Sequence, residues 1–311
     1  MEKDQLIAML NKDLADEHAS IVRYLIHAYQ VGEDTPFGSM LLSTAREEMW
    51  HMDWLGDEIG ELEAEPLMEQ GVYPHDPTSN ATLLRSYIAW EDNLIALYAQ
   101  QAEQVDSSEL KRILRQLGIE SITHKRRFEQ WLEKLGPAGE EPFTFDEGSF
   151  SPEMLKRLHQ EATSQYKLVL QHLRHAFVFE DEDCDVGSEL ELTAMRHMKH
   201  LSHFAEELAE SGRNFNFNYP GIDKSQAMQW ALLADLKMTQ SAKERFEKLA
   251  GDPEIQQHAG LVIELDNMIM RNDFLAAALE EMLDSQTVEP KETKTEKPSG
   301  DFTVGSLLKK Q

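Results

Sequence analysis

Glu17, Glu48, His51, Glu91, Glu120 and His124 are of the types that hold divalent metal ions, and each sits among apolar neighbours. Glu48 and His51 are spaced i,i+3, and Glu120 and His124 i,i+4, so on a helix each pair shares one face. Glu91 follows the run Tyr87-Ile88-Ala89-Trp90. Four carboxylates inside an apolar bundle would be very costly without compensating cations. Two divalent iron or manganese ions would neutralise them, and oxygen and imidazole ligands suit those metals. One glutamate from each of two helices, with a Glu/His pair from each of two others, is the ligand plan of di-metal four-helix bundles. Taken singly, Glu91 beside Trp90, or the Glu48/His51 pair, reads as an ordinary solvated helix position, and His27 as a packed, hydrogen-bonded histidine. The ordered set on four successive segments points to a metal centre.

Those residues need helices to position them. Leu6, Leu10, Leu14, Ile21, Leu25 and Ala28 recur at helical spacing. Periodicity predicts helices near 3–31, 36–62, 80–105 and 107–135, with start signals at Pro36, Thr78-Ser79-Asn80 and Asp106-Ser107-Ser108. After a linker at 136–150, Ser151-Pro152-Glu153 opens a second set near 151–180, 186–211, 223–250 and 252–284. Gly (16) and Pro (11) are scarce enough for this all-α reading, and no strand of useful length stands out.

The second set looks like a copy of the first. LIHAYQ at 25–30 aligns with LRHAFV at 173–178, and TAREEMWH at 44–51 with TAMRHMKH at 193–200. Tandem duplication is the expectation, although any two amphipathic helices can be made to align. In the copy Gln165 stands for Glu17, with Glu161 one turn earlier. His197 and His200 stand for Glu48 and His51, Asp235 for Glu91, and Asp266, Asn267 and Met270 fill the last helix. Fewer carboxylates hold less cation charge, so this half reads as degenerate and mainly structural. The run His197, His200, His203 is either a polar face or a separate metal site.

The segments Glu17–Ala28, Glu48–Trp54 and Ile88–Glu91 resemble the first three helices of bacterioferritins. The resemblance covers residues 5–135 well and 151–284 faintly. It implies a ferritin-like fold, a di-iron ferroxidase centre using Glu17, Glu48, His51 and Glu91, and Tyr24 beside the iron as electron donor or hydrogen bonder. In the fourth helix the family places a glutamate three residues before the histidine; here that residue is Ser121, and Glu120 is the substitute. Bacterioferritins also use the methionine after the second-helix glutamate as a haem ligand across a two-fold interface. Met49 and Met198 hold that place in the two copies, either as packing residues or around a haem.

Residues 285–300 are polar, charged and broken by proline, and read as a flexible tether reaching at most ~55 Å when extended. Beyond them, Phe302, Thr303, Val304, Gly305, Ser306, Leu307 and Leu308 resemble the cargo-loading peptide of encapsulin nanocompartments. That resemblance implies an encapsulin shell protein as partner. The expected organisation is a metal-binding bundle at 1–138, a second bundle at 150–284, the linker at 285–300 and the targeting peptide at 301–311.

With 57 acidic and 30 basic side chains the net charge is −27, which argues against nucleic acid or anionic lipid as partner. The single cysteine, Cys184, excludes a disulfide framework within the chain and a cysteine-rich metal site. Neither a secretory signal nor a membrane span is read, so a cytoplasmic location, within a nanocompartment, is expected, with homo-oligomers possible. The resulting expectation is ferrous-iron oxidation for storage or detoxification. Its rivals are a peroxide-removing enzyme of rubrerythrin or manganese-catalase type and a non-catalytic cargo with a vestigial centre.

Overall fold

The computed structural model describes residues 1–144, 150–210 and 217–287. The described chain is helical, in the order α1 (Lys3–Val31), α2 (Pro36–Glu61), α3 (Asn80–Gln104), α4 (Ser108–Leu135), α5 (Pro152–Phe179), α6 (Cys184–Glu210), α7 (Met228–Ala250) and α8 (Ala259–Thr287). Local chemistry sets several of the ends. Thr35 accepts from Gly38 N at 3.0 Å ahead of Pro36. Ser79 and Thr82 form a capping box, and Ser107 and Ser151 cap α4 and α5. Gly32 closes α1 at φ +83°, a conformation that disfavours any residue with a side chain.

Helices pair as hairpins, α1 with α2, α3 with α4, α5 with α6 and α7 with α8, giving two four-helix bundles in tandem. The bundles pack on one another through α1 against α6 and α2 against α5. These contacts are reciprocal, as a two-fold relation between halves requires. Tyr166 Oη meets His18 Nε2 at 2.7 Å, and these two residues hold the same place on α5 and α1. On α2, Gly56 and Gly60 lie against Phe177 of α5; a Cβ on Gly60 would come 2.1 Å from the Phe177 carbonyl oxygen. Fully buried Arg174 links the long connections of both halves, donating to Glu65 Oε1 and Oε2 at 3.1 and 2.6 Å and to the Ser225 carbonyl at 2.6 Å.

The bundles differ in the spacing of one helix pair, while α2 and α4 approach each other just as α6 and α8 do. The backbones of α1 and α3 stay more than 8 Å apart, whereas α5 and α7 approach within that distance. On α3 the buried Tyr87 and Tyr98 flank Glu91; flanking Asp235 at the same spacings on α7 are Ala231 and Ala242. Large aromatic side chains thus accompany the wider α1–α3 spacing, and alanines the closer approach of α5 and α7.

Three sequence expectations shift. α7 begins at Met228 rather than 223, because Asp223 accepts from Ser225 N at 3.0 Å and Arg174 grips the carbonyl of Ser225. α8 begins at Ala259 rather than 252, after Asp252 accepts from Glu254 N at 2.9 Å and a short 3₁₀ turn intervenes. In α8, Asp266 and Met270 are exposed; the polar residue turned inward is Asn272, followed one turn later by Leu275. No helix among the described residues is long and apolar enough to cross a membrane. Residues 301–311, with Phe302 to Leu308, lie outside the described residues.

Candidate metal centre

Residues one and two turns apart on a helix share a face, and the four helices of the first bundle use this to aim donors at one point. α1 supplies Glu17 and Tyr24, α2 Glu48 and His51, α3 Glu91 and Tyr98, and α4 His124. All are buried, with Glu17, His51, Glu91 and His124 at 0 % exposure and Glu48 at 1 %. Two donor groups form, Glu17 with Glu48 and His51, and Glu48 with Glu91 and His124. In each, one donor atom per residue lies within 4.8 Å of the others. Glu48 belongs to both. Its Oε2 lies 2.7 Å from His51 Nδ1 and its Oε1 3.0 Å from His124 Nδ1.

Both histidines turn Nδ1 inward and Nε2 outward. His51 Nε2 meets Glu120 Oε2 at 2.7 Å, and His124 Nε2 meets Glu47 Oε2 at 3.0 Å. Arg127 anchors Glu47 at 2.7 and 2.8 Å, and Gln116 donates to Glu120. A carboxylate at Nε2 holds the proton there and leaves the Nδ1 lone pair for a metal, as the outer partners of metal-bound histidines do. Glu120 therefore stands outside both donor groups, in the same relation to His51 as Glu47 to His124. Ser121 is 1 % exposed and contributes no carboxylate.

Tyrosines hold the remaining carboxylates. Tyr98 donates to Glu17, and Tyr24 Oη donates to Glu91 Oε1 at 2.7 Å while lying 3.2 Å from Tyr73 Oη. Apart from the close approaches of Glu48 to the two inward nitrogens, both oxygens of Glu48, Oε2 of Glu91 and Nδ1 of His124 make no well-aligned hydrogen bond among the described residues. Leaving such atoms bare and buried is costly, and iron or manganese ions among them would satisfy them all. The donor set fits two such ions.

The metal-free charge pattern shows the same demand. Burial, reinforced by repulsion from Glu48, raises the Glu17 carboxyl to about 8. Burial likewise raises Glu91, again with Glu48 adding to it. Burial opposes protonation of His51 and His124, but the adjoining carboxylates, Glu48 foremost, carry both imidazoles well above their usual range. Divalent ions bound among these carboxylates and imidazoles would displace such protons.

The other residues singled out from sequence lie elsewhere. His27 bonds Asn80 Oδ1 at 2.7 Å and Tyr87 Oη at 3.1 Å, as a packed histidine does. Met49 and Met198 are half-buried on α2 and α6, whose backbones stay more than 8 Å apart. Glu161 pairs with Arg245 at 2.9 Å. His203 is half-buried against Glu264 at 3.2 Å, apart from the buried His197 and His200. Sequence reasoning missed Glu47, Tyr98 and Arg127, although a Glu-Glu pair before His51 and an arginine three residues after His124 were there to be read. It also missed a half-buried trio of Asp53, Asp57 and Glu191 where α2 meets the second bundle.

Residues 7–137 match the ferritin family model, described as a ferritin-like domain. The match covers the first bundle and all the donor residues above. No curated protein and no solved structure matches the chain.

Proposed function

We propose that the ferritin-like domain of residues 7–137 oxidises ferrous ions in pairs. Iron is here the substrate. The observation carrying this reading is the pair of donor groups that share Glu48 and are lined by atoms with no well-aligned hydrogen bond among the described residues. Glu17 and His51 would hold one ion, Glu91 and His124 the other, and Glu48 both. Carboxylate-rich ligation favours the ferric state and so favours oxidation. With oxygen as acceptor the balance is two Fe²⁺, one O₂ and two H⁺ giving two Fe³⁺ and one H₂O₂. With peroxide it is two Fe²⁺, one H₂O₂ and two H⁺ giving two Fe³⁺ and two H₂O.

The chain's own groups orient this chemistry. Glu120 and Glu47 keep both imidazoles in the tautomer that presents Nδ1. Tyr98 and Tyr24 fix the rotamers of Glu17 and Glu91. Tyr24, raised well above its usual range by burial and by Glu91, stays a neutral phenol that can donate a hydrogen bond or an electron. A ferrous oxidation assay on the wild type and Glu48→Ala tests the proposal. Loss of rapid oxidation with helicity intact supports it, and equal rates place the chemistry elsewhere.

The reciprocal contacts between bundles and the shared register of inward residues support an origin by tandem duplication. A role as encapsulin cargo rests on the Phe302–Leu308 pattern and the polar stretch before it. Deleting 301–311 should abolish loading on co-expression with a shell protein; undiminished encapsulation would overturn that role. A haem between Met49 and Met198 rests on position in sequence alone, and absence of haem absorbance after expression with adequate haem would remove it.

A further inference from the structure

The feature that marks the metal centre of the first bundle recurs in the second. Gln165 Nε2, His172 Nε2, His197 Nε2, both nitrogens of His200 and Asn272 Oδ1 are buried without a hydrogen-bond partner among the described residues. Gln165, His172, His197 and His200 occupy the register positions of Glu17, Tyr24, Glu48 and His51. Leaving so many polar atoms bare in one interior is costly, which calls for a guest. The donors here are nitrogen-rich, three imidazoles standing where the first bundle has a tyrosine, a glutamate and a histidine.

Two of the three imidazoles are already set to coordinate. His172 donates from Nδ1 to the Leu168 carbonyl at 2.7 Å, which leaves the Nε2 lone pair bare. His197 Nδ1 lies 2.9 Å from Gln165 Oε1, with the same result. Their rings stack with centroids 5.3 Å apart, and His200 stands edge-on to His197 at 5.5 Å. No three of these atoms lie within 4.8 Å of one another in the metal-free arrangement, so capture needs a ring to turn. Turning His200 would break no hydrogen bond, because neither of its nitrogens makes one. Asp235, held by Gln171 at 2.6 Å and by His175 at 2.8 Å, supplies one negative charge in the same interior.

We propose that the second bundle binds a single divalent transition ion of nitrogen preference, of the zinc, cobalt or copper class, through His172, His197 and His200. Three imidazoles with one nearby carboxylate carry too little negative charge to offset two divalent ions, but they suit one borderline-soft ion. The site is distinct from the iron-oxidising centre and does not depend on it.

The test uses the full-length chain carrying Glu48→Ala and His124→Ala, which disables the first centre, with Co²⁺ as probe. The expected result is uptake of one Co²⁺ per chain, with visible absorption bands of nitrogen ligation and a rise in Tm on loading. Adding His197→Leu and His200→Leu should abolish the uptake, the bands and the rise. Leucine at 200 removes two nitrogens that make no hydrogen bond, whereas leucine at 197 also takes the partner from Gln165 Oε1, so the Tm without Co²⁺ should fall modestly and the rise on loading is the readout. Should that variant fail to fold, His200→Gln is the second test, with at least a tenfold loss of affinity expected. No Co²⁺ uptake by the background protein, or uptake undiminished by the variant that folds, would overturn the proposal.

Discussion

Glu120→Gln and Glu48→Gln should part company, although sequence reading puts both residues in one ligand set. Glu48 reaches both inward nitrogens, at 2.7 and 3.0 Å, whereas Glu120 touches only the outer nitrogen of His51. Losing a partner behind a metal-bound histidine costs roughly 10–100-fold in affinity, about 1.4–2.7 kcal/mol. Glu120→Gln should therefore weaken the ion at Glu17 and His51 by that factor and spare the ion at Glu91 and His124. Glu48→Gln removes a charged oxygen from both ions. Applying the same factor to each as a floor, the filled centre weakens by roughly 10²–10⁴-fold. Anaerobic Fe²⁺ titration by calorimetry reads the two sites, and stopped-flow mixing with oxygen reads the rate. Two unequal sites are expected for Glu120→Gln, and none of measurable affinity for Glu48→Gln. Equal loss of both ions in the two variants would refute the reasoning and make Glu120 a ligand.

Ser121→Glu adds a buried carboxylate one turn before His124, so it should lower the Tm in chelator and raise it above wild type with Fe²⁺ or Mn²⁺; equal Tm in both conditions contradicts this. Burial, with added repulsion from Glu191, raises Asp57 to about 7, and burial with Asp53 alongside raises Glu191 to about 8, from unfolded values near 3.8 and 4.5. The folded chain then holds more protons than the unfolded one between those limits, and these groups destabilise increasingly as pH rises through that window. Asp57→Asn should be more stable than wild type by at least ~1 kcal/mol at pH 8, with the difference vanishing near pH 4; thermal melts across pH check it. Arg174→Ala strips the buried clamp from Glu65 and Ser225 and should cost about 3 kcal/mol in denaturant unfolding. A cost under half of that would show that the two long connections are held by other contacts.

Much of the fold could be read from residues alone. The period of α1 and the serine or threonine starts of α2, α3, α4 and α5 are local signals. The starts of α7 and α8 were not legible, because Asp223, Asp252 and the distant Arg174 decide them. α8 is apolar nearly all round, with Ile263, Met270 and Phe274 exposed, so its inward face could not be told from period. At the site, residue type, helical spacing and the family resemblance pointed to Glu17, Glu48, His51, Glu91 and His124, which the bundle gathers inside, but not to the buried Tyr98 beside them. Spacing could not show that Glu120 and Glu47 stand behind the two histidines, since that depends on how α2 and α4 face each other. Nor could it show that tyrosines accompany the wider α1–α3 spacing and alanines the closer approach of α5 and α7.

Diffraction at the iron absorption edge from crystals of the full chain loaded anaerobically with Fe²⁺ bears most directly on the paired centre. Two anomalous peaks are expected within the first bundle, both touching Glu48, one beside His51 Nδ1 and one beside His124 Nδ1. Iron absent from that interior, or bound there without Glu48, would contradict the paired centre.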